Sequence, residues 1–138
     1  MTQRQISNWC FSVSIGLYIF ACFSTVYRLE NGDESIGFMV LIIGFLGLIL
    51  GYLSWLANPL IFLSWFFFEK NPKWTLILSI LATILTLSFL GTKELLINEN
   101  SAPVKIIYRG LGYWAWFLSS ISIVIGSILY QYFAKDRP

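Results

Sequence analysis

Long stretches without charge alternate with short polar connections along this chain. The uncharged stretches cover residues 5–27, 35–68, 74–92 and 110–134. A helix needs about 20 apolar residues to cross the roughly 30 Å hydrocarbon layer of a membrane. The first, third and fourth stretches have that length. Each predicts one membrane-spanning helix, at about residues 6–27, 74–91 and 110–133.

The second stretch is too long for one crossing and too short for two comfortable crossings joined by a turn. Gly51, Asn58 and Pro59 lie in its interior. Proline lacks a backbone donor and drives the preceding residue away from α geometry, so it interrupts a helix. We therefore predict one long span over residues 36–68 that is broken between Gly51 and Pro59. The part before about residue 50 is expected to cross at a tilt, re-enter or lie at the interface.

Four crossings within 138 residues predict an all-α integral membrane protein with a single transmembrane domain over residues 1–138. The composition agrees, because 57% of residues are hydrophobic and only 12% are charged. A soluble domain carries about 25% charged residues. The loop at residues 93–109 is the one substantial connection. Its β-branched and aromatic residues allow either a small hairpin or an interfacial segment.

The positions of Lys and Arg predict the orientation. With four crossings, one side carries Arg4, Lys70, Lys73, Lys135 and Arg137, and the other carries Arg28, Lys93, Lys105 and Arg109. Cytoplasmic loops and termini carry an excess of these residues. We therefore expect a multi-pass protein of the cell membrane with both termini in the cytoplasm and the loop at residues 93–109 outside.

Small residues recur at helical spacing in two of the predicted spans. They are Gly44, Gly47, Gly51 and Ser54 in the second span, and Gly112, Ala115, Ser119, Ser122 and Gly126 in the last span. Small side chains let helices approach closely in lipid, where packing drives their association. These faces predict either contact between the two spans or a surface that binds another membrane protein.

A polar centre is expected around Asn58 and Ser64. Unsatisfied polar groups are costly in lipid, so Asn58 should lie inside protein. Its amide is expected to satisfy the interrupted backbone or to reach Ser119 or Ser122 across a helix contact. These polar groups would then act as a structural bridge or line a small cavity or ion path.

The residue types present exclude several kinds of chemistry. The chain has no histidine, two cysteines, and no Asp, Glu, Lys or Arg inside any predicted span. Proton-coupled transporters and intramembrane enzymes normally carry such embedded groups. We therefore predict no catalytic residue, no cofactor and no metal site. A net charge of +2 without a basic run predicts no nucleic-acid partner.

Two motifs carry a resemblance to small bacterial inner-membrane proteins of unknown activity. They are Trp-Leu-Ala-Asn-Pro-Leu at residues 55–60 and Gly-Tyr-Trp-Ala-Trp at residues 112–116. The resemblance also covers the order of the spans. It implies a four-helix inner-membrane protein of bacterial origin and carries no activity.

These observations predict a non-enzymatic membrane protein that binds a membrane partner through its helices. An accessory, assembly or immunity-type role fits, and the partner could be a second copy of the chain. One alternative is a small oligomeric channel or carrier with its polar centre around Asn58. Another is a lipid-modifying enzyme at the interface, in which Lys105 and Arg109 would meet phosphate headgroups.

Overall fold

The computed structural model describes residues 2–97 and 100–134. They form five α-helices and four short strands. In chain order these are α1 (Gln3–Cys22), β1 (Thr25–Leu29), β2 (Glu34–Ile36), α2 (Gly37–Ile43), α3 (Ala57–Phe67), α4 (Pro72–Gly91), β3 (Glu94–Leu95), β4 (Val104–Arg109) and α5 (Leu111–Ala134). Two 3-10 turns, Gly44–Leu48 and Leu53–Leu56, lie between α2 and α3.

Three helices are long and apolar enough to cross a membrane, judged by length and composition alone. They are α1 from Arg4 to Cys22, α4, and α5 from Leu111 to Tyr132. The start of α4 has a clear local cause, because Pro72 begins the helix and the side chain of Asn71 accepts a hydrogen bond from the Trp74 amide. By contrast, α3 has only 11 residues and continues from a 3-10 turn.

The four longest helices pack as a bundle in which α5 lies between α1 and α4, and α3 packs on α4. One end of this bundle holds the connection between α3 and α4. There Phe68 stacks on Phe11 of α1 with ring centroids 4.8 Å apart, and Ser127 of α5 donates to the carbonyl of Pro72. The start of α1 and the end of α5 therefore lie at this same end.

A small antiparallel sheet covers the other end of the bundle, with strand order β2-β1-β4-β3. The all-α prediction is wrong in this respect. The first predicted span ran to residue 27, but α1 ends at Cys22 and β1 follows almost at once. Tyr27 pairs with Arg109, far along the chain, so the strand depends on a non-local partner. In the loop at residues 93–109, β3 and β4 form the hairpin alternative.

The long second segment is broken, but the break lies earlier than Pro59. The α-helical part α2 already ends at Ile43, and the chain turns at Gly51, whose φ is 87°. Asn58 and Pro59 belong to the first turn of α3. Proline is tolerated there because the first amides of a helix have no intrahelical acceptor. The turn at Gly51 lies within the predicted break, but Pro59 helps to begin a helix and does not interrupt one, which corrects its expected role.

The distribution of side chains is inverted relative to a water-soluble bundle. The large apolar side chains of Phe20, Ile84 and Ile125 are each about half exposed, at 51%, 56% and 47%. Besides buried apolar residues such as Ile61 and Ile123, the interior holds many small hydroxyl side chains, all with 1% exposure or less: Ser7, Ser14, Ser64, Thr75, Ser79, Thr86, Ser119, Ser120 and Ser127. Small polar residues therefore form a large part of the helix contacts, and many large apolar side chains point outward.

Candidate ligand-binding cavity

A cavity of about 390 Å³ lies where the sheet meets the bundle. Its walls are the last turns of α1, the sheet, and residues 37–56, which we call the wall segment. Ser54 of the wall segment, Asn58 and Trp116 also line the cavity, and we call these three residues its floor. Small-molecule sites in proteins measure about 300–1,000 Å³ and combine an apolar lining with a few convergent polar groups. The cavity has this size and this make-up.

Specific contacts hold the wall segment against the rest of the protein. The indole of Trp55 donates to the carbonyl of Leu41 at 3.0 Å. This ring lies so close to Gly44 that a Cβ atom there would come within 2.6 Å of it. The hydroxyl of Tyr52 accepts a hydrogen bond from the Leu96 amide at 3.1 Å. The wall segment is thus held by one hydrogen bond within itself and by another to Leu96, the residue that follows β3.

Asn58 is the central polar residue of the cavity floor and is only 4% exposed. Its Oδ1 accepts two hydrogen bonds, from the Tyr18 hydroxyl at 2.8 Å and from the Trp116 indole at 2.9 Å. An indole N–H can only donate, so the amide oxygen must face Trp116. This contact determines which way the whole amide is oriented.

The amide nitrogen of Asn58 has no hydrogen-bond partner among the described residues, since both of its bonds go to Oδ1. This nitrogen, Nδ2, also retains accessible surface. In the described part of the chain, the only side-chain nitrogen or oxygen that is fully buried without a partner is Arg109 Nε, so Nδ2 cannot be fully buried. Because Asn58 lines the cavity, we conclude that Nδ2 is a donor available from the cavity.

Ser54 provides a second available polar group on the same floor. It is 9% exposed, lines the cavity, and its hydroxyl makes no hydrogen bond within the described residues. It precedes Asn58 by four positions, which is about one helical turn. Both residues line the same cavity.

Ser64, the other member of the predicted polar centre, lies elsewhere. It is fully buried, and its hydroxyl donates to the carbonyl of Ile61 on its own helix at 2.7 Å. It does not line the cavity. The structure thus does not bring Ser64 and Asn58 together at one site.

The predicted small-residue face of α5 contacts α1 along most of its length. Ser119 and Ser14 bond to each other's backbone carbonyls at 2.8 Å, and Ser122 donates to Cys10. Gly126 accepts from the Ser7 hydroxyl at 2.9 Å. Gly112 lies against the backbone of Ser24, and Ala115 is buried. Ser119, Ser122 and Gly126 thus pack on α1, and Gly112 packs on the residues that follow α1.

The glycines of the second segment do not share one helix face. Gly44 and Gly47 lie in a 3-10 turn, and Gly51 has a positive φ in the turn that follows. The nearest side chain to Gly47 is that of Tyr52. The expected contact between this face and the last span required a continuous helix. In the structure the wall segment, which is not a continuous helix, takes the place of that helix.

Sequence reasoning missed Tyr18 and Trp116, which orient Asn58. A usable signal existed, because both residues carry a polar tip on a large apolar body inside an uncharged stretch. Such polar groups need a hydrogen-bond partner when they are buried.

Among the described residues, no cluster of His, Cys, Asp and Glu fits a metal ion, and Cys10 and Cys22 are free thiols. Comparison of the chain with protein-family models, characterised proteins and solved structures finds no match.

Proposed function

We propose that this chain is a non-enzymatic, multi-pass membrane protein that binds an apolar small molecule in the cavity. The observation that carries the proposal is the combination of an apolar cavity with two available polar groups, Ser54 and Asn58, on its floor. A membrane supplies molecules with a large apolar body and a small polar part. Such a molecule matches the cavity in both respects.

The distribution of side chains supports the membrane part of this proposal. Many Ile, Leu and Phe side chains are exposed, while nine Ser and Thr side chains of the described residues are fully buried beside a small hydrophobic core. Water would penalise that arrangement, since burying apolar area is the main favourable term in folding. In lipid, small residues at helix contacts are typical. In the proposed arrangement α1, α4 and α5 cross the membrane, and α3 with the 3-10 turn before it makes a shorter fourth crossing.

The distribution of basic residues supports an orientation. Arg4, Lys70 and Lys73 lie near the bundle end that holds the connection between α3 and α4. We propose that this end is cytoplasmic, as the positive-inside rule favours for short connections. The sheet and the cavity would then lie at the outer surface. A bacterial inner membrane is the location that the resemblance of the two motifs implies.

The contacts of Arg109 support a structural role for this residue. Its guanidinium donates to the carbonyls of Phe89, Leu90 and Thr92 at the end of α4. All three bonds come from Nη2, so the side chain is anchored at the end of α4 through one of its three nitrogens. Helix-mediated binding of a membrane partner remains a prediction. The contact between α1 and α5 already uses the small face of α5, so such binding would need another surface.

A matched pair of substitutions on α2 tests the proposal. Val40 lines the cavity, whereas Ile42 on the same helix is 52% exposed and does not line it. The protein and both variants, Val40→Phe and Ile42→Phe, are purified in mild detergent. Bound small molecules are then extracted and identified by mass spectrometry.

We expect an apolar molecule at near-stoichiometric amounts in the unmodified protein and in Ile42→Phe, and a clear loss in Val40→Phe. Equal amounts in all three proteins would contradict binding in the cavity.

A liposome flux assay tests the alternative that the protein is a channel. Selective ion flux through the purified protein would favour a channel over a binding protein.

A further inference from the structure

We propose that the molecule bound in the cavity is uncharged and presents a carbonyl oxygen to Asn58 and Ser54. This inference rests on the proposed function and identifies the class of ligand. The carbonyl belongs either to a membrane quinone or to a lipid ester, since both join this group to a long apolar chain. Three features of the floor and the lining point to this class of ligand.

The first feature is the orientation of the Asn58 amide. Trp116 and Tyr18 both donate to Oδ1, so the side of the amide left for the cavity is the donor Nδ2. A donor in an apolar cavity is stabilised when it meets an acceptor, because an unpaired buried polar group carries its full desolvation penalty. A ligand that offers only donors at this point would leave the amide unpaired.

The second feature is the charge of the lining. Among the described residues that line the cavity, Asp33 is the only one with a formal charge, and it is negative. Its carboxylate accepts a hydrogen bond from Asn31 in the turn between β1 and β2. Within residues 2–97 and 100–134 no Lys or Arg lines the cavity, so a phosphate or carboxylate would enter it without a partner from these residues. A neutral acceptor avoids that desolvation cost.

The third feature is the apolar and aromatic wall above the floor. Val26, Leu29 and Val40 contribute aliphatic surface, and the rings of Trp55 and Trp116 border the floor. This surface accepts an apolar chain or a flat ring by burial alone. The polar and apolar parts of the cavity thus match a carbonyl attached to an apolar body.

Four probes separate the ligand classes. Decylubiquinone carries ring carbonyls, and decylbenzene is its counterpart without an acceptor. Methyl palmitate carries an ester, and palmitate is its charged counterpart. Dissociation constants are measured by equilibrium dialysis on the full chain in mild detergent, and the ligand-dependent rise in melting temperature provides a second readout.

We expect decylubiquinone or methyl palmitate to bind at least about tenfold more tightly than its counterpart, since a hydrogen bond and an avoided charge both contribute. The tighter of the two carbonyl probes identifies the source of the ligand. If decylbenzene binds as tightly as the carbonyl probes, the inference fails while the proposed function stands. Tighter binding of palmitate than of its ester would also overturn it. If no probe binds, both proposals fail.

Two variants test the roles of the floor residues. Ser54→Ala removes a hydroxyl without a partner in the described residues, so folding should be unaffected, and affinity for the carbonyl probe should fall about three- to tenfold. Ser88→Ala is its control, since Ser88 is exposed and bonds only to its own helix. Trp116→Phe removes the contact that orients Asn58, so the preference for a carbonyl probe over decylbenzene should shrink. An unchanged preference in both Ser54→Ala and Trp116→Phe would contradict the assigned contacts.

Discussion

The indole nitrogen of Trp116 donates to Oδ1 of Asn58 at 2.9 Å and thereby joins α5 to the first turn of α3. The hydroxyl of Tyr18, from α1, donates to the same oxygen at 2.8 Å. One amide oxygen therefore connects three helices at the floor of the cavity. This arrangement links the stability of the bundle to the geometry of the proposed binding site.

Removing the shared acceptor should destabilise the protein. Asn58→Leu leaves the Tyr18 hydroxyl and the Trp116 indole without an acceptor, and each unsatisfied buried group costs about 1–3 kcal/mol. Tyr18→Phe is the control, because it removes one donor and leaves Asn58 bonded to Trp116. Its cost should be smaller, near the ~0.6 kcal/mol average of interhelical hydrogen bonds in membranes. Unfolding in detergent measures both. Equal losses would mean that Asn58 does not connect the helices as described.

Replacing Gly126 with a large side chain should destabilise the protein, whereas the same replacement at Gly16 should be tolerated. A Cβ at Gly126 would lie 3.0 Å from Cys10 Cβ, in the contact between α5 and α1, whereas nothing lies within 4 Å of the equivalent point at Gly16. Gly126→Leu is expected to lower stability by about 1–3 kcal/mol through overpacking. Gly16→Leu serves as the matched variant in the same thermal unfolding assay. Equal tolerance at the two positions would place the close helix contact elsewhere.

Arg109 should stabilise the junction between α4 and the sheet. Its Nη2 atom lies 2.7 Å from the carbonyl of Thr92 and 3.1 Å from those of Phe89 and Leu90. A cation at a helix C-terminus also interacts favourably with the helix dipole. Arg109→Met is expected to cost about 2 kcal/mol, since hydrogen bonds to charged groups contribute about 1.5–3 kcal/mol.

Arg109→Lys separates charge from geometry at this junction. Lysine keeps the charge but not the planar fork, so its loss should be intermediate. Chemical unfolding in detergent ranks the three proteins. If Lys and Met variants are equally stable, the positive charge does not contribute to the junction.

The orientation of the chain is tested by reporter fusions at two connections. Asn71 lies between α3 and α4, and Asn100 lies between β3 and β4, at opposite ends of the bundle. A reporter active only in the cytoplasm should work at Asn71 and fail at Asn100. If both positions report the same side, α4 does not cross the membrane. A reversed result would show that the distribution of basic residues does not set the orientation.

The position of Asn58 shows how far local sequence information reaches. Its burial was expected because a polar group in an apolar span needs partners, and the structure confirms that burial. The expected partners Ser119 and Ser122 were wrong, since both bond to α1. Which residues face one another depends on how each helix is rotated about its axis, and spacing along one helix does not determine that rotation.

The sequence by itself determined the long helices, because a helix satisfies its backbone within a local stretch of chain. The uncharged runs that became α1, α4 and α5 could be read from length, composition and flanking polar residues. Tertiary structure alone decided the pairing of β1 with β4, in which Tyr27 pairs with Arg109. It also decided the wall segment, where the Trp55 ring packs against Gly44. The strand pairing depends on contacts between residues distant in sequence, and the wall segment depends on a turn whose direction the local pattern does not specify. The cavity forms only where the sheet and the wall segment meet.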